Sequence, residues 1–156
     1  MNNTAKLIIS ILLTVGIGAT AGLFTASGVD SWYTTIQKPS WNPPNWIFGP
    51  VWTTLYIMMG IALYLVWKSG SDERVKKIAL ILFAFQLILN FLWSFIFFDQ
   101  QQPGWAFLEI LILWVFILLT IFAFARVNKA AAWLLVPYIS WVSFAAILNY
   151  TIWQLN

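Results

Sequence analysis

Five apolar runs, Ala5–Ser27, Trp46–Trp67, Ile78–Phe98, Trp105–Ala125 and Ala130–Trp153, take up most of a 156-residue chain. Each reaches the roughly 20 residues that a helix needs to cross the hydrocarbon core of a bilayer. Within lipid every backbone N–H and C=O must bond internally, which leaves helices or a closed barrel. These runs are continuously apolar and lack the in–out alternation of barrel strands. The expectation is an all-α membrane protein, a single domain built as a bundle of five transmembrane helices. Composition agrees, since 62% of residues are hydrophobic and only 8% are charged. So few charges cannot clothe a soluble domain of this length.

The first run resembles a signal peptide in having Lys6, an apolar stretch and small residues near Ala26. Its apolar part, Leu7–Phe24, is longer than a usual signal core, so a retained first helix is expected. Thr14, Gly18, Gly22 and Ala26 recur every fourth residue and form one small-residue face suited to close helix packing.

The connections set the orientation. Lys6, the loop Lys68–Lys77 and the turn Arg126–Lys129 fall on one side and carry seven basic residues, while the other side has only Lys38. The positive-inside rule then predicts a multi-pass protein of the cell membrane, with its N-terminus in the cytoplasm and its C-terminus outside. The net charge of +3 is spent on these short loops and gives no sign of nucleic-acid binding.

The first outer loop is unusual. QKPSWNPPNWIFGPVWTTLY, residues 37–56, holds four prolines and three tryptophans. Pro39, Pro43 and Pro44 restrict the chain to an extended path. Pro50 suits the first turns of the second helix. An interfacial aromatic belt accounts for Trp41, Trp46, Trp67, Trp133 and Trp153. A belt needs no prolines, so the Pro/Trp-rich segment reads as a rigid lid across the outer mouth of the bundle.

Polar residues inside spans are costly and usually have a task. Gln86, Asn90, Trp93 and Phe97 share one face of the third helix at spacings of four, three and four. The second helix offers Trp52, Tyr56 and Met59, the fourth Trp105, Glu109 and Ile112, and the fifth Trp141, Ala145, Leu148 and Ile152. Trp52, Asn90, Trp105 and Ala145–Leu148 all fall in the outer half. Their convergence beneath the lid would form an aromatic pocket with a few polar donors. Interhelical hydrogen bonding is the plainer reading for Gln86 and Asn149. Glu109 reads as a solvent-accessible carboxylate at the mouth.

The segments WYTTIQKPSWNPPNWIFGPVWTTLY, QLILNFLWSFIFF, PGWAFLEIL and PYISWVSFAAILNYTIW together resemble the translocator protein family, whose other names are tryptophan-rich sensory protein and peripheral benzodiazepine receptor. The resemblance runs in order from the first helix to residue 153. It implies a five-helix bundle, often a homodimer. It also implies a pocket in the outer half for protoporphyrin IX, cholesterol-like lipids and isoquinoline or benzodiazepine drugs. The family's pocket tryptophans and asparagine fall on Trp52, Asn90, Trp105 and Trp141, and its small and aliphatic positions on Ala145 and Leu148. The candidate ligand-binding set is completed by Tyr33, Pro44 and Phe48 around the lid and by Trp93. Bacterial members are linked to light- and oxygen-dependent porphyrin breakdown, a role that would fall here on Trp52 and Trp141. One departure stands out. The family's cholesterol consensus has its aliphatic residue and tyrosine at Leu148 and Tyr150, but Gln154 stands where a basic residue belongs. Cholesterol is therefore a poor expectation.

The chain has no cysteine and no histidine. Thiol and imidazole chemistry is absent, and haem iron would find only methionine or tyrosine as a ligand. Protoporphyrin IX is thus expected metal-free, as ligand or substrate, with no covalently bound cofactor. No acid, base and nucleophile set is visible. A receptor or sensor is the leading expectation, with porphyrin degradation through its own photochemistry beside it. Transport of porphyrin or lipid is the alternative, although neither an internal repeat nor a span broken at midplane points to it.

Overall fold

The computed structural model describes residues Met1–Asn156 and contains helices but no strands. In chain order these are α1 (Asn3–Val29), the single turn α2 (Trp32–Thr35), a 3-10 turn (Asn45–Ile47), α3 (Phe48–Trp67), α4 (Glu73–Ser94), a π-helical turn (Phe95–Asp99), α5 (Pro103–Val127), α6 (Lys129–Leu134) and α7 (Val136–Leu155). Five helical segments are long and apolar enough to cross a membrane, as expected. They pack in a ring, with α1 against α3 and α4, α4 against α5, α5 against α7, and α3 against α6.

Local sequence explains the boundaries. Asp72 starts α4 by accepting the backbone N–H groups of Arg74 (3.0 Å) and Val75 (3.2 Å). Asn128 starts α6 by accepting from the Ala131 N–H. The fifth span is two helices rather than one. Pro137 has no N–H to bond back along the chain, so the segment breaks at Leu135 and restarts. The third span ends in a π turn, closed by Gln100 N–H to Phe95 O at 2.9 Å. Phe97 and Phe98 in this turn are both buried.

Thr14 and Gly18 of the small-residue face of α1 pack on α3, while Gly22 and Ala26 are exposed. Thr14 donates to the Tyr56 carbonyl at 2.7 Å. A Cβ at Gly60 would stand 2.7 Å from Ile11 Cα, and one at Gly18 would strike the Tyr56 ring at 2.3 Å. Backbones this close require glycine.

The basic residues gather at one end of the bundle. Lys6 lies 5.9 Å from the Trp67 ring centroid, and the Ser71 hydroxyl reaches the Val127 carbonyl. The opposite end, here the lid end, carries the loop between α1 and α3. Trp41, Trp46, Trp105 and Trp153 are exposed there, and Trp133 is exposed at the basic end, as an interfacial belt requires.

Candidate functional site: an aromatic cavity beneath a tied lid

The lid is held by its own polar groups. The Tyr33 hydroxyl donates to Asn42 Oδ1 at 2.6 Å. Asn42 N–H donates to Pro39 O, and Ile47 N–H to Pro44 O, so each proline-rich turn closes on a proline carbonyl. Lys38 donates to the carbonyls of Tyr33 (2.6 Å) and Ile36 (3.1 Å) and lies 4.9 Å from the Tyr33 ring centroid. Its ammonium therefore staples the lid. The loop also reaches the far end of α7, where Gln37 and Asn156 exchange two hydrogen bonds. Trp41 packs edge-on against Phe144 at 5.9 Å.

Beneath the lid is a narrow cavity of about 30 Å³, its walls nearly in contact. Its lid-side wall is Tyr33 and Phe48. Trp52 comes from α3, Trp93 from α4, Phe97 and Phe98 from the π turn, and Trp141, Phe144, Ala145, Leu148, Asn149 and Ile152 from α7. Thr25 of α1 closes it. The rings meet across narrow gaps: Trp93 stacks on Phe97 at 5.2 Å, and Phe48 meets Trp141 at 6.3 Å. A planar ligand must part these rings to enter. Two polar groups face this apolar chamber differently. Asn149 is spent, because it accepts from Trp93 Nε1 (3.0 Å) and donates to the Pro103 carbonyl (2.8 Å). Trp141 Nε1 is buried with no acceptor. An indole N–H in that position is a donor left for something else.

Seven of the ten sequence candidates line this cavity: Tyr33, Phe48, Trp52, Trp93, Trp141, Ala145 and Leu148. Three do not. Asn90 lies deeper, in a chain of buried hydrogen bonds. Tyr56 OH donates to Asn90 Oδ1, Asn90 Nδ2 donates to Tyr138 OH (2.8 Å), and Tyr138 OH donates to Gln86 Oε1 (2.8 Å). Its amide serves to tie α3, α4 and α7 together, the role expected of Gln86. Trp105 is 67% exposed on the lipid-facing side of α5. Pro44 is exposed on the lid's outer surface, ahead of the 3-10 turn. Glu109 also departs from expectation. It is buried, and neither carboxyl oxygen has a hydrogen-bond partner. The inward face of α5 is Ala106, Glu109, Ile110, Leu113 and Ile117, so Trp105 and Ile112 fall on the opposite side.

The sequence reading missed Phe98, Phe144 and Thr25. Phe98 sits beside Phe97 in the π turn, and nothing in an unbroken apolar run marks it as inward. The wall of tryptophans from three helices beneath the lid, together with the five-span ring, invites comparison with known membrane proteins. A family model described as the TspO/MBR family matches residues 10–154. The chain belongs to the TspO/MBR family. It is 49% identical over 155 residues to the tryptophan-rich protein TspO of Chlorobaculum tepidum, covering 97% of this chain and 98% of that one. It is 44% identical over 126 residues to the translocator protein of Homo sapiens, covering 80% and 75%. The tryptophan-rich sensory protein of Cereibacter sphaeroides is 35% identical over 157 residues, covering 100% and 95%. The likeness to the TspO/MBR chains spans all five helices and the lid.

Proposed function

We propose that this TspO/MBR protein is a membrane receptor or sensor that binds a metal-free tetrapyrrole, protoporphyrin IX, in the cavity beneath the lid. One observation carries the reading. Trp52, Trp93 and Trp141 from three helices wall a narrow apolar chamber, and the buried Trp141 indole N–H has no protein acceptor. A tetrapyrrole offers a wide aromatic face to such walls, each ring contact contributing roughly 0.5–1.5 kcal/mol beyond burial. Its peripheral carboxylates offer acceptors to an N–H. No cysteine, histidine or methionine lines the chamber, and the hydroxyl of its one tyrosine, Tyr33, is engaged with Asn42, so iron would gain little there. Flat isoquinoline and benzodiazepine-type molecules suit the same walls.

Light-driven loss of the bound porphyrin is part of this proposal. Trp52 and Trp141 are the electron donors: an indole gives one electron to the light-excited ring, the reduced ring adds dioxygen, and the oxygenated ring returns one electron to the indole radical, so that dioxygen is the oxidant consumed and the indole is restored. Cell-membrane placement with the basic end in the cytoplasm, and a homodimer as the assembled form, complete the reading.

The test is the absorption spectrum of the purified protein with protoporphyrin IX, in light and in darkness. Shifted porphyrin bands in the dark that fade in light support binding with degradation. A shifted spectrum stable in light reduces the reading to a receptor. Bands identical to free porphyrin in both conditions overturn it.

A further inference from the structure

A second recess opens on the flank of the bundle between α1 and α3 and faces lipid rather than the interior. Its α1 wall runs from Val15 to Val29 through Gly18, Ala19, Ala21, Gly22, Thr25 and Ala26; its α3 wall includes Gly49, Trp52, Thr53 and Tyr56. Small residues make it a slot. A Cβ placed on Gly22 or Gly49 would meet nothing within 4 Å. Val15 to Val29 spans about 21 Å at 1.5 Å per residue, enough to run from headgroup level past one leaflet's half of a roughly 30 Å hydrocarbon core.

The slot is graded along its length. Its walls are mostly apolar surface, with Thr25, Thr53 and the buried Ser94 among them, and its rim at the lid end holds Asp30, Asn45 and the exposed Trp46. Asp30 has no cationic partner, since the molecule's one ion pair is Lys76–Glu73. Lys38, the lone basic residue at this end, is held by the carbonyls of Tyr33 and Ile36. The rim therefore presents an uncompensated negative charge over a mostly apolar trough. Phe48, Trp52 and Thr25 belong to both the slot and the inner cavity, so the two spaces share one thin wall.

We infer that this slot is a binding site for one acyl chain of a phospholipid in the lid-side leaflet, with a cationic headgroup amine over Asp30. The occupant packs against the back of Phe48 and Trp52, and so supports the inner cavity's wall from the membrane side. This assignment stands apart from the tetrapyrrole reading, because it needs neither a porphyrin nor the inner cavity to be occupied.

The protein is placed in nanodiscs doped with photoreactive lipids that carry a diazirine in one acyl chain. One lipid is phosphatidylethanolamine and the other phosphatidylglycerol. After illumination, adducts are mapped by peptide mass spectrometry. The ethanolamine lipid should label residues 18–29 and 45–56 about fivefold more than the lipid-facing surface of α5 near Leu108–Val115. Gly22→Phe with Gly49→Phe should abolish the slot adducts and leave those on α5, with thermal unfolding confirming the fold. Asp30→Asn, which leaves the trough untouched, should bring the ethanolamine and glycerol lipids to equal yield. Even labelling around the bundle, or adducts that survive the filled slot, would overturn the site. An unchanged headgroup preference in Asp30→Asn would overturn the amine assignment. A Gly22→Cys variant that oxidises to a dimer in the same discs would hand the slot to a second copy and overturn the lipid.

Discussion

Gln37 in the lid and Asn156 beyond the end of α7 are bonded twice: the Gln37 N–H donates to Asn156 Oδ1 at 3.0 Å, and Asn156 Nδ2 donates to the Gln37 carbonyl at 2.9 Å. The lid is therefore anchored to the helix that supplies half of the cavity wall. Opening it requires breaking this pair or moving α7. Asn156→Ala should loosen the lid by about 1 kcal/mol and speed protoporphyrin release roughly fivefold. Stopped-flow displacement of bound porphyrin checks this, and an unchanged off-rate would mean that the lid does not gate the cavity.

The buried chain Tyr56–Asn90–Tyr138–Gln86 is a structural tie by its position below the cavity. Tyr138→Phe removes the hydroxyl that both accepts from Asn90 and donates to Gln86. Buried polar groups left unpaired cost about 1–3 kcal/mol. The expected outcome is a lower unfolding temperature in detergent with porphyrin affinity of the folded protein unchanged. Weakened binding without lost stability would put the network at the ligand instead.

How much of this was legible in the sequence differs by helix. The spans were plain because length and apolarity suffice to define a membrane helix. Helix faces were readable where polar or aromatic residues marked them. Gln86, Asn90 and Trp93 on α4, and Trp141, Ala145 and Leu148 on α7, all face inward as their spacing predicts. In α5 nearly every position is apolar, so periodicity carries no phase, and Trp105 and Glu109 exchanged their expected surroundings. An aromatic residue at a helix end serves a lipid interface as well as a pocket, and only packing decides between them. Phe98 sits in a π turn inside an unbroken apolar run, and the Gln37–Asn156 pair is a contact between distant segments. Neither leaves a local signal.

The proposed orientation, with the basic end in the cytoplasm, rests on seven basic residues at one end against Lys38 at the other. A reporter enzyme that works only outside the cytoplasm should be active when fused after Asn156 and silent when inserted at Ser71. Activity at Ser71 alone would invert the topology and place the lid in the cytoplasm.

The central claim is that the tetrapyrrole sits in the chamber walled by Trp52, Trp93 and Trp141. Ala145 and Trp105 separate that claim from its rivals most directly. Ala145 lines the chamber, and a phenyl ring added there fills it; Trp105 faces lipid. Absorbance titration with protoporphyrin IX in the dark compares the parent protein with Ala145→Phe and Trp105→Phe, each checked for its unfolding temperature. Affinity should fall by about tenfold or more in Ala145→Phe, because the ligand's volume is taken, and should hold within about twofold in Trp105→Phe, whose ring lies outside the cavity. Parent-like binding in a folded Ala145→Phe, with binding lost in Trp105→Phe, would contradict the account and move the ligand to the outer surface of α5.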